Sequence, residues 1–341
     1  MAPQIDWKNL GFSYLQTDYF VKADFIDGAW GGVEVCSEPS LNIHVAATCL
    51  HYGQACFEGL KAFCRNDNSI AIFRPRANAA RLADSARRLV MEVVPEELFV
   101  EAVRKVVLLN KAWVPPYATG ASLYIRPLLI GTTPRVGLNA ATDYSFIVMA
   151  MPVGPYYKNG FFPVNALVQE ELDRAAPRGV GHVKAAGNYA AGMMGDLLGK
   201  KKGYPISLYL DSAHHRYIDE FGTSNFFAIT RDGAYVTPQS SSILPSITND
   251  SLQTIAADIG LRVQKRPIAI EELTEFSEVG ACGTAAVITP IHSITRGDTV
   301  YTFGSKEQAG ETLCKLHKTM LGIQYGELPD THGWMLPVMD S

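Results

Sequence analysis

The residues best placed to do chemistry lie in Gly179-Val180-Gly181-His182-Val183-Lys184-Ala185-Ala186-Gly187-Asn188-Tyr189, where small residues crowd a single lysine. Glycines at that density let another group approach the backbone closely, and the lysine would supply an amine as nucleophile or base. Taken alone, the segment also fits a flexible glycine loop with a solvated lysine. The glycine spacing excludes a dinucleotide-binding fingerprint, and no suitable strand leads in. In Asp219-Glu220-Phe221-Gly222-Thr223-Ser224-Asn225-Phe226-Phe227 an acid and two polar residues interrupt apolar surroundings. A carboxylate facing a core needs a partner, whereas an acidic turn between strands does not. Ser246-Ile247-Thr248-Asn249-Asp250-Ser251 opens a helix, whose first N–H groups suit an anion, although every helix start offers the same. Gly280-Ala281-Cys282-Gly283-Thr284-Ala285-Ala286 is a small-residue turn able to set backbone amides against a ligand. In Ser122-Leu123-Tyr124-Ile125-Arg126-Pro127-Leu128 the polar residues alternate with apolar ones, so a strand would turn Tyr124 and Arg126 to one face.

Mixed helices and strands must position these groups. Leu82, Ala86, Leu89 and Val90 recur on one face of a helix over Ala77–Val90, and Pro95-Glu96-Glu97 opens another that runs to about Trp113. Strands are expected over Ala121–Ile130 and Tyr144–Met151. Pro152-Val153-Gly154-Pro155 then breaks the pattern. These signals divide the chain into a domain over 1–150, a linker over 151–157 and a domain over 158–341. The second contains a helix over Asn188–Lys202 that ends in three cations and a glycine, with Tyr189, Met193 and Leu197 at helical intervals. Strands follow at Ile206–Leu210 and Asn225–Ile229, the latter turning through Asp232-Gly233 into Tyr235-Val236. Thr248 is expected to cap a helix carrying Leu252, Ile255, Ala256 and Ile259 and stopping at Gly260. A last helix over about Lys306–Leu321 would turn Leu313, Leu316, Met320 and Leu321 inward.

With 341 residues, 47% of them hydrophobic, the chain has ample material for two cores. A formal charge of -4 argues against nucleic acid as a partner. The first residues lack a signal-peptide pattern and no run is long enough to span a bilayer, so the expected location is cytoplasmic. The six cysteines include no C-x-x-C pair, which suggests reduced, mostly buried thiols and no metal site.

Taken together, these motifs, with Arg81 in Asn78-Ala79-Ala80-Arg81-Leu82, resemble the fold-type IV pyridoxal-phosphate enzymes, and among them the branched-chain aminotransferases. The resemblance runs from Tyr52-Gly53-Gln54-Ala55-Cys56-Phe57-Glu58-Gly59-Leu60-Lys61-Ala62-Phe63 to the Gly283-Thr284-Ala285 turn. It implies an α+β fold of two domains: a smaller N-terminal α/β sandwich, and a larger C-terminal domain with a β pseudo-barrel core and surrounding helices. By the same resemblance the cofactor, pyridoxal 5'-phosphate (PLP), sits between the domains, with Lys184 as its Schiff-base lysine, Tyr189 on its phenolic oxygen and Glu220 facing its pyridine nitrogen. Arg81, the Ile247 and Thr248 amides and Thr284 would hold the phosphate, and Leu244 would pack on the ring. Tyr124 with the Thr284 and Ala285 amides would take the substrate α-carboxylate, and Arg126 a second carboxylate. Phe12, Tyr52, Phe57, Tyr156, Tyr189 and Thr223 would wall the side-chain pocket. The implied reaction moves the amino group of leucine, isoleucine or valine to 2-oxoglutarate, in a homodimer or an assembly of dimers. A D-amino acid aminotransferase or an aminodeoxychorismate lyase would keep the lysine and acid but change the carboxylate trap. A scaffold without catalysis would not need Lys184, Tyr189 and Glu220 together. Some members carry a C-x-x-C pair after the Gly-Thr-Ala turn; here those positions are Ala286 and Thr289.

Overall fold

The computed structural model describes residues 5–7, 9–154 and 160–339. Tyr156 and the end of the expected linker, 155–157, lie outside them. The chain divides into two units: Met1–Tyr156 with Val183–Gly187 and Gly322–Ser341, and Tyr157–His182 with Asn188–Leu321. The expected division kept 158–341 in one domain, whereas the structure gives two of its segments to the first unit. Backbone pairing is the reason. Ala185 bridges Cys56, and Met335–Pro337 pairs antiparallel with Ile70–Phe73.

The first unit is built on an antiparallel sheet in the order Met335–Pro337, Ile70–Phe73, Leu60–Cys64, Ser122–Gly131, Tyr144–Val153, Phe20–Ile26 and Ala29–Trp30. Helices Pro75–Arg88 and Glu96–Leu109 bury Leu82, Ala86, Phe99 and Val103 with Leu123, Ile125, Phe146 and Val148 of the sheet. Strand alternation leaves Tyr124 and Arg126 on the other face. The strand Tyr144–Val153 runs through Pro152, paired with Leu123, so the proline closes the strand instead of breaking it. The helix expected to reach Val90 stops at Arg88, and Val90 is 69% exposed with a positive φ of 54°. Its neighbour ends at Leu109, where the Asn110 side chain bonds the Val106 carbonyl, and a separate 3-10 turn covers Lys111–Trp113.

Proline also shapes the centre of this sheet. Ala55–Phe57 pairs with Leu128–Ile130 and Leu60–Ala62 with Leu123–Ile125, so Glu58 and Gly59 bridge the gap beside Pro127. Pro127 has no N–H for a ladder, but its carbonyl accepts from Glu58 N–H at 2.8 Å. At Gly59 a Cβ would run into the Tyr124 hydroxyl, so glycine is required there.

In the second unit six strands close a ring. The order is Ile218–Phe221, Ile206–Leu210, Val164–Val168, Val287–Arg296, Phe276–Gly283 and Asn225–Thr230, which pairs back with Ile218–Phe221. Val164–Val168 is parallel to both neighbours and the other pairs of the ring are antiparallel. Ala166, Leu208, Phe221, Phe226, Ala228, Val279 and Ile291 fill its core. Helix Ala186–Lys201 turns Gly195 and Gly199 inward, since a Cβ there would meet the Tyr209 hydroxyl and Ser207 Oγ. Met193 and Leu197, spaced at helical intervals, are 66% and 48% exposed.

Two expected helix starts move. Ser246, not Thr248, caps helix Ile247–Asp258, because its side chain lies three residues before the Asn249 N–H it accepts from at 3.1 Å. The last helix covers Glu311–Tyr325 rather than Lys306–Leu321. The Glu278 carboxylate, from a neighbouring strand, accepts from the Thr312 and Leu313 amides at 3.1 and 2.9 Å and sets that start from outside the local sequence. Among the described residues no helix is long and apolar enough to cross a membrane.

Candidate active site

In the first unit Lys184 is fixed through its backbone. Its N–H donates to Ser85 Oγ at 3.0 Å and its carbonyl accepts from Phe57 N–H at 3.2 Å. Ser85, fully buried on helix Pro75–Arg88, donates onward to the Arg81 carbonyl at 2.9 Å. The amine lies 4.9 Å from the centroid of the Phe57 ring. Desolvation lowers its pKa from the usual 10.5 to about 8, with Arg81 adding to the depression and Glu58 opposing it. Although Lys184 as a residue is only partly buried, the hydration that matters here is that of the ammonium. An amine with a pKa near 8 is partly neutral at physiological pH, as a nucleophile or a proton carrier must be.

Arg81 is held by Glu58. Its Nε and Nη2 donate to Glu58 Oε1 and Oε2 at 2.8 and 2.7 Å, and Asn78 Nδ2 adds a 2.8 Å bond to the same carboxylate. Glu58 is completely buried, and its inward turn follows from the sheet gap beside Pro127. Arg126 Nη2 donates to the Tyr124 hydroxyl at 2.9 Å, and its guanidinium stands 4.6 Å from the Phe57 ring centroid. Its Nε is buried and makes no hydrogen bond among the described residues. Phe12 meets Tyr124 edge-on at 5.3 Å and shares a small apolar cluster with Met151 and Val153. The structure thus brings Phe12, Phe57, Tyr124, Arg126 and Lys184 into one chain of contacts. Tyr52 is different: it ends the helix Thr48–Tyr52, is 38% exposed, and bonds the Val136 carbonyl.

In the second unit Glu220 is 3% exposed on the closing strand of the ring. Arg174 Nη1 lies 2.8 Å from its Oε1, which also accepts from the Leu244 N–H at 3.0 Å, and Asn225 Nδ2 reaches Oε2 at 3.2 Å. Asn225 Nδ2 also donates to the Leu244 carbonyl at 3.0 Å, so Leu244 and Glu220 are locked together. The Arg174 guanidinium thus gives the buried Glu220 side chain an ion-pair partner away from water. Ile247 and Thr248 lie in the first turn of helix Ile247–Asp258, with Thr248 buried. Tyr189, partly buried, sits near the start of helix Ala186–Lys201. Cys282 is buried, and desolvation raises its thiol pKa, as packing requires and reactivity does not.

Thr284 and Ala285 occupy a hairpin between Phe276–Gly283 and Val287–Arg296, whose ladder pairs Gly283 with Val287 and Cys282 with Ile288. At Gly283 a Cβ would lie 3.7 Å from Ser224 Cβ and 3.9 Å from the Thr223 carbonyl oxygen, so the Thr223 loop and the hairpin adjoin. The hairpin closes through Val287 at a φ of 63°, with Ile288 N–H donating to the Ala286 carbonyl at 2.8 Å. That is a γ-turn of the rare positive-φ form, and for a β-branched residue it costs about 1–3 kcal/mol.

Glu58 and Arg174 were not among the expected site residues. The signal for Glu58 was present, an acid between an aromatic residue and a glycine, while nothing in Asp173-Arg174-Ala175 marks Arg174 as a core ion-pair partner.

In the first unit the Lys184 amine, lowered to about 8, suits a carbonyl partner, and in the second unit the buried Glu220 side chain suits a basic ring nitrogen. The family described as amino-transferase class IV matches residues 55–294. A branched-chain-amino-acid aminotransferase of Haemophilus influenzae is 44% identical over 340 residues, covering 98% of this chain and 99% of its own. One of Helicobacter pylori is 45% identical over 336 residues, covering 98% of both. The solved structure of a T.th. branched-chain amino acid aminotransferase with pyridoxamine 5'-phosphate superposes with a TM-score of 0.81 at 27% identity, covering 96% of this chain and 100% of that one. This chain therefore belongs to the class IV aminotransferases, in the branched-chain-amino-acid aminotransferase family.

Proposed function

We propose that this chain uses PLP to move the amino group of leucine, isoleucine or valine reversibly to 2-oxoglutarate, in the cytoplasm, as a homodimer or an assembly of dimers. The observation that carries the reading is the Lys184 amine, fixed by its backbone and lowered to about 8. The buried Glu220 carboxylate in its Arg174 and Asn225 setting supports it. PLP, bound through Lys184, supplies an electron sink for the substrate carbon that loses its proton. Lys184 Nζ takes that proton from Cα and returns it in the reverse direction, a role suited to a base with a pKa near ambient pH. A carboxylate at Glu220 would favour a protonated ring nitrogen, with Leu244 beside it on the ring. Arg81, set by Glu58, would join the Ile247 and Thr248 amides and Thr284 on the phosphate, and Tyr189 would donate to the phenolic oxygen. Tyr124 and the Thr284 and Ala285 amides would orient the α-carboxylate. Phe12, Phe57, Tyr52, Tyr156, Tyr189 and Thr223 would shelter the side chain, where a leucine-sized group gains about 1.5–3 kcal/mol from burial.

A panel of amino acids with 2-oxoglutarate as acceptor, followed with the cofactor's visible absorption, tests the reading. Leucine, isoleucine and valine should turn over and shift the band. A band that shifts with D-amino acids but with none of these three would overturn it.

A further inference from the structure

In the second unit the guanidinium that pairs with Glu220 has an anchor of its own. Arg174 Nη1, 2.8 Å from Glu220 Oε1, also donates to the Ser242 carbonyl at 3.1 Å. That carbonyl lies against bare backbone, since a Cβ at Gly181 would collide with it. Ser242 is buried, and its Oγ donates to Asp219 Oδ2 at 2.7 Å. Ser240 Oγ stands 2.8 Å from Ser242 Oγ and accepts from the Ser242 N–H at 3.2 Å. Because the Ser242 hydroxyl gives its proton to Asp219, the Ser240 hydroxyl is the donor to it, and the two serines form a relay that ends on the acid. Two residues on, the Leu244 N–H donates to Glu220 Oε1 at 3.0 Å. The segment 240–244 thus bonds both neighbouring acids of the strand Ile218–Phe221. Asp219 is 5% exposed, and its Oδ1 makes no hydrogen bond among the described residues. Burial pushes its carboxyl pKa up, with Asp211 adding, while the Ser242 and Ser240 hydroxyls and Arg174 pull it down.

We propose that Asp219 is a positioning residue for Glu220: by accepting from the Ser242 hydroxyl it fixes segment 240–244, whose Ser242 carbonyl and Leu244 amide hold Arg174 and the Glu220 carboxyl in register. The inference rests on the reading of Glu220 as the partner of the cofactor's ring nitrogen. Without Asp219 the Ser242 hydroxyl is a buried donor that has lost its acceptor, and the segment must shift to satisfy it, taking the Ser242 carbonyl and the Leu244 amide along. Asn225 still reaches Glu220 Oε2, so the side chain stays in place while its direction loosens. A hydrogen bond to a charged group is worth about 10- to 100-fold in an equilibrium and weakens steeply when misaligned. An acid that only supported the fold would show in stability and leave recognition of the ring nitrogen alone.

The test titrates the full-length apoprotein with pyridoxamine 5'-phosphate and with its deaza analogue, in which a C–H replaces the ring nitrogen, alongside thermal unfolding and steady-state kinetics. The parent should prefer pyridoxamine 5'-phosphate by about 10- to 100-fold. Asp219→Ala and Ser242→Ala should each cut that preference to about threefold or less, and lower kcat with leucine and with glutamate about tenfold while KM stays within about twofold. The double variant should be no worse than either single one, because both remove the same contact. Asp219→Asn keeps an oxygen that accepts from Ser242 and should hold the preference within about threefold of the parent. Ser242→Ala and Asp219→Asn carry the comparison if Asp219→Ala does not fold. If the alanine variants lose stability but keep the parent's preference, Asp219 supports the fold alone and its assigned role is wrong. Losses that add in the double variant, or an Asp219→Asn as poor as Asp219→Ala, refute it as well, since the bond to Ser242 is then not the cause. If the parent itself binds both ligands equally, Glu220 is not the partner of the ring nitrogen, and that reading falls together with the inference built on it.

Discussion

Replacing Arg126 with leucine separates the two substrates that the proposed reaction must accept. Among the described residues the guanidinium makes one bond, to the neutral Tyr124 hydroxyl at 2.9 Å, and faces the Phe57 ring at 4.6 Å. Those losses are about 1 kcal/mol for the hydrogen bond and about 0.5–2 kcal/mol for the cation–π contact, partly offset by leucine packing on the ring. Neither depends on which substrate is bound. A second carboxylate would: Arg126 Nε is buried and without a hydrogen bond among the described residues, so on the proposed reading a dicarboxylic substrate would gain a buried, charge-assisted partner there. Removing one side of such a pair costs about 2–5 kcal/mol, which is roughly 30- to several thousand-fold. Single-turnover absorbance changes of the cofactor, recorded separately with leucine and with glutamate, read the two half-reactions without mixing them. Glutamate should fall by that factor, and leucine by less than about fivefold. Equal losses would mean that Arg126 holds the shared α-carboxylate or the fold, and the two-carboxylate reasoning would be refuted.

Glu220→Gln should abolish most turnover and also lower stability by about 3–5 kcal/mol, because it leaves the Arg174 guanidinium buried without its carboxylate. Adding Arg174→Gln should restore much of the melting temperature but not the rate, and a double variant as unstable as the single would count against the ion pair. The Lys184 amine is lowered from 10.5 to about 8 in the folded state. Between those values the unfolded chain binds a proton that the native amine has lost, so its contribution favours the fold increasingly from pH 8 toward 10.5. Cofactor uptake by the apoprotein should accelerate with pH around a midpoint near 8, and borohydride reduction with peptide mapping should place the label on Lys184; a midpoint near the ordinary lysine value or a label on Lys61 would contradict this. Glu278→Ala should cost about 0.5–2 kcal/mol in unfolding experiments by leaving the first amides of helix Glu311–Tyr325 without their acceptor, with kcat unchanged. An unchanged midpoint in denaturant would show that solvent replaces the carboxylate.

Motifs that must be contiguous to work were legible in the sequence. The small-residue setting of Lys184, the Tyr124-x-Arg126 alternation and the Gly283-Thr284-Ala285 turn depend on local spacing, and local spacing survives in one dimension. Periodicity likewise marked the helices over Pro75–Arg88 and Glu96–Leu109 and the long strands around Tyr124 and Phe146. What failed was set by partners far along the chain. The start of the last helix was fixed by Glu278, which lies on another strand, and the membership of Lys184 in the first unit by its pairing near Cys56 and Phe57. Glu58 and Arg174 gained their roles only when folding removed them from water, where an ionised group without a partner costs several kcal/mol and is driven to find one. The left-handed backbone at Val287 was equally invisible, since residue type argues against it and only the paired strands on either side impose it. Residue order alone named candidate groups for chemistry and most of the elements that carry them. Their charge partners, burial and basicity came from the folded arrangement, because those are properties of neighbours that the chain brings together only on folding.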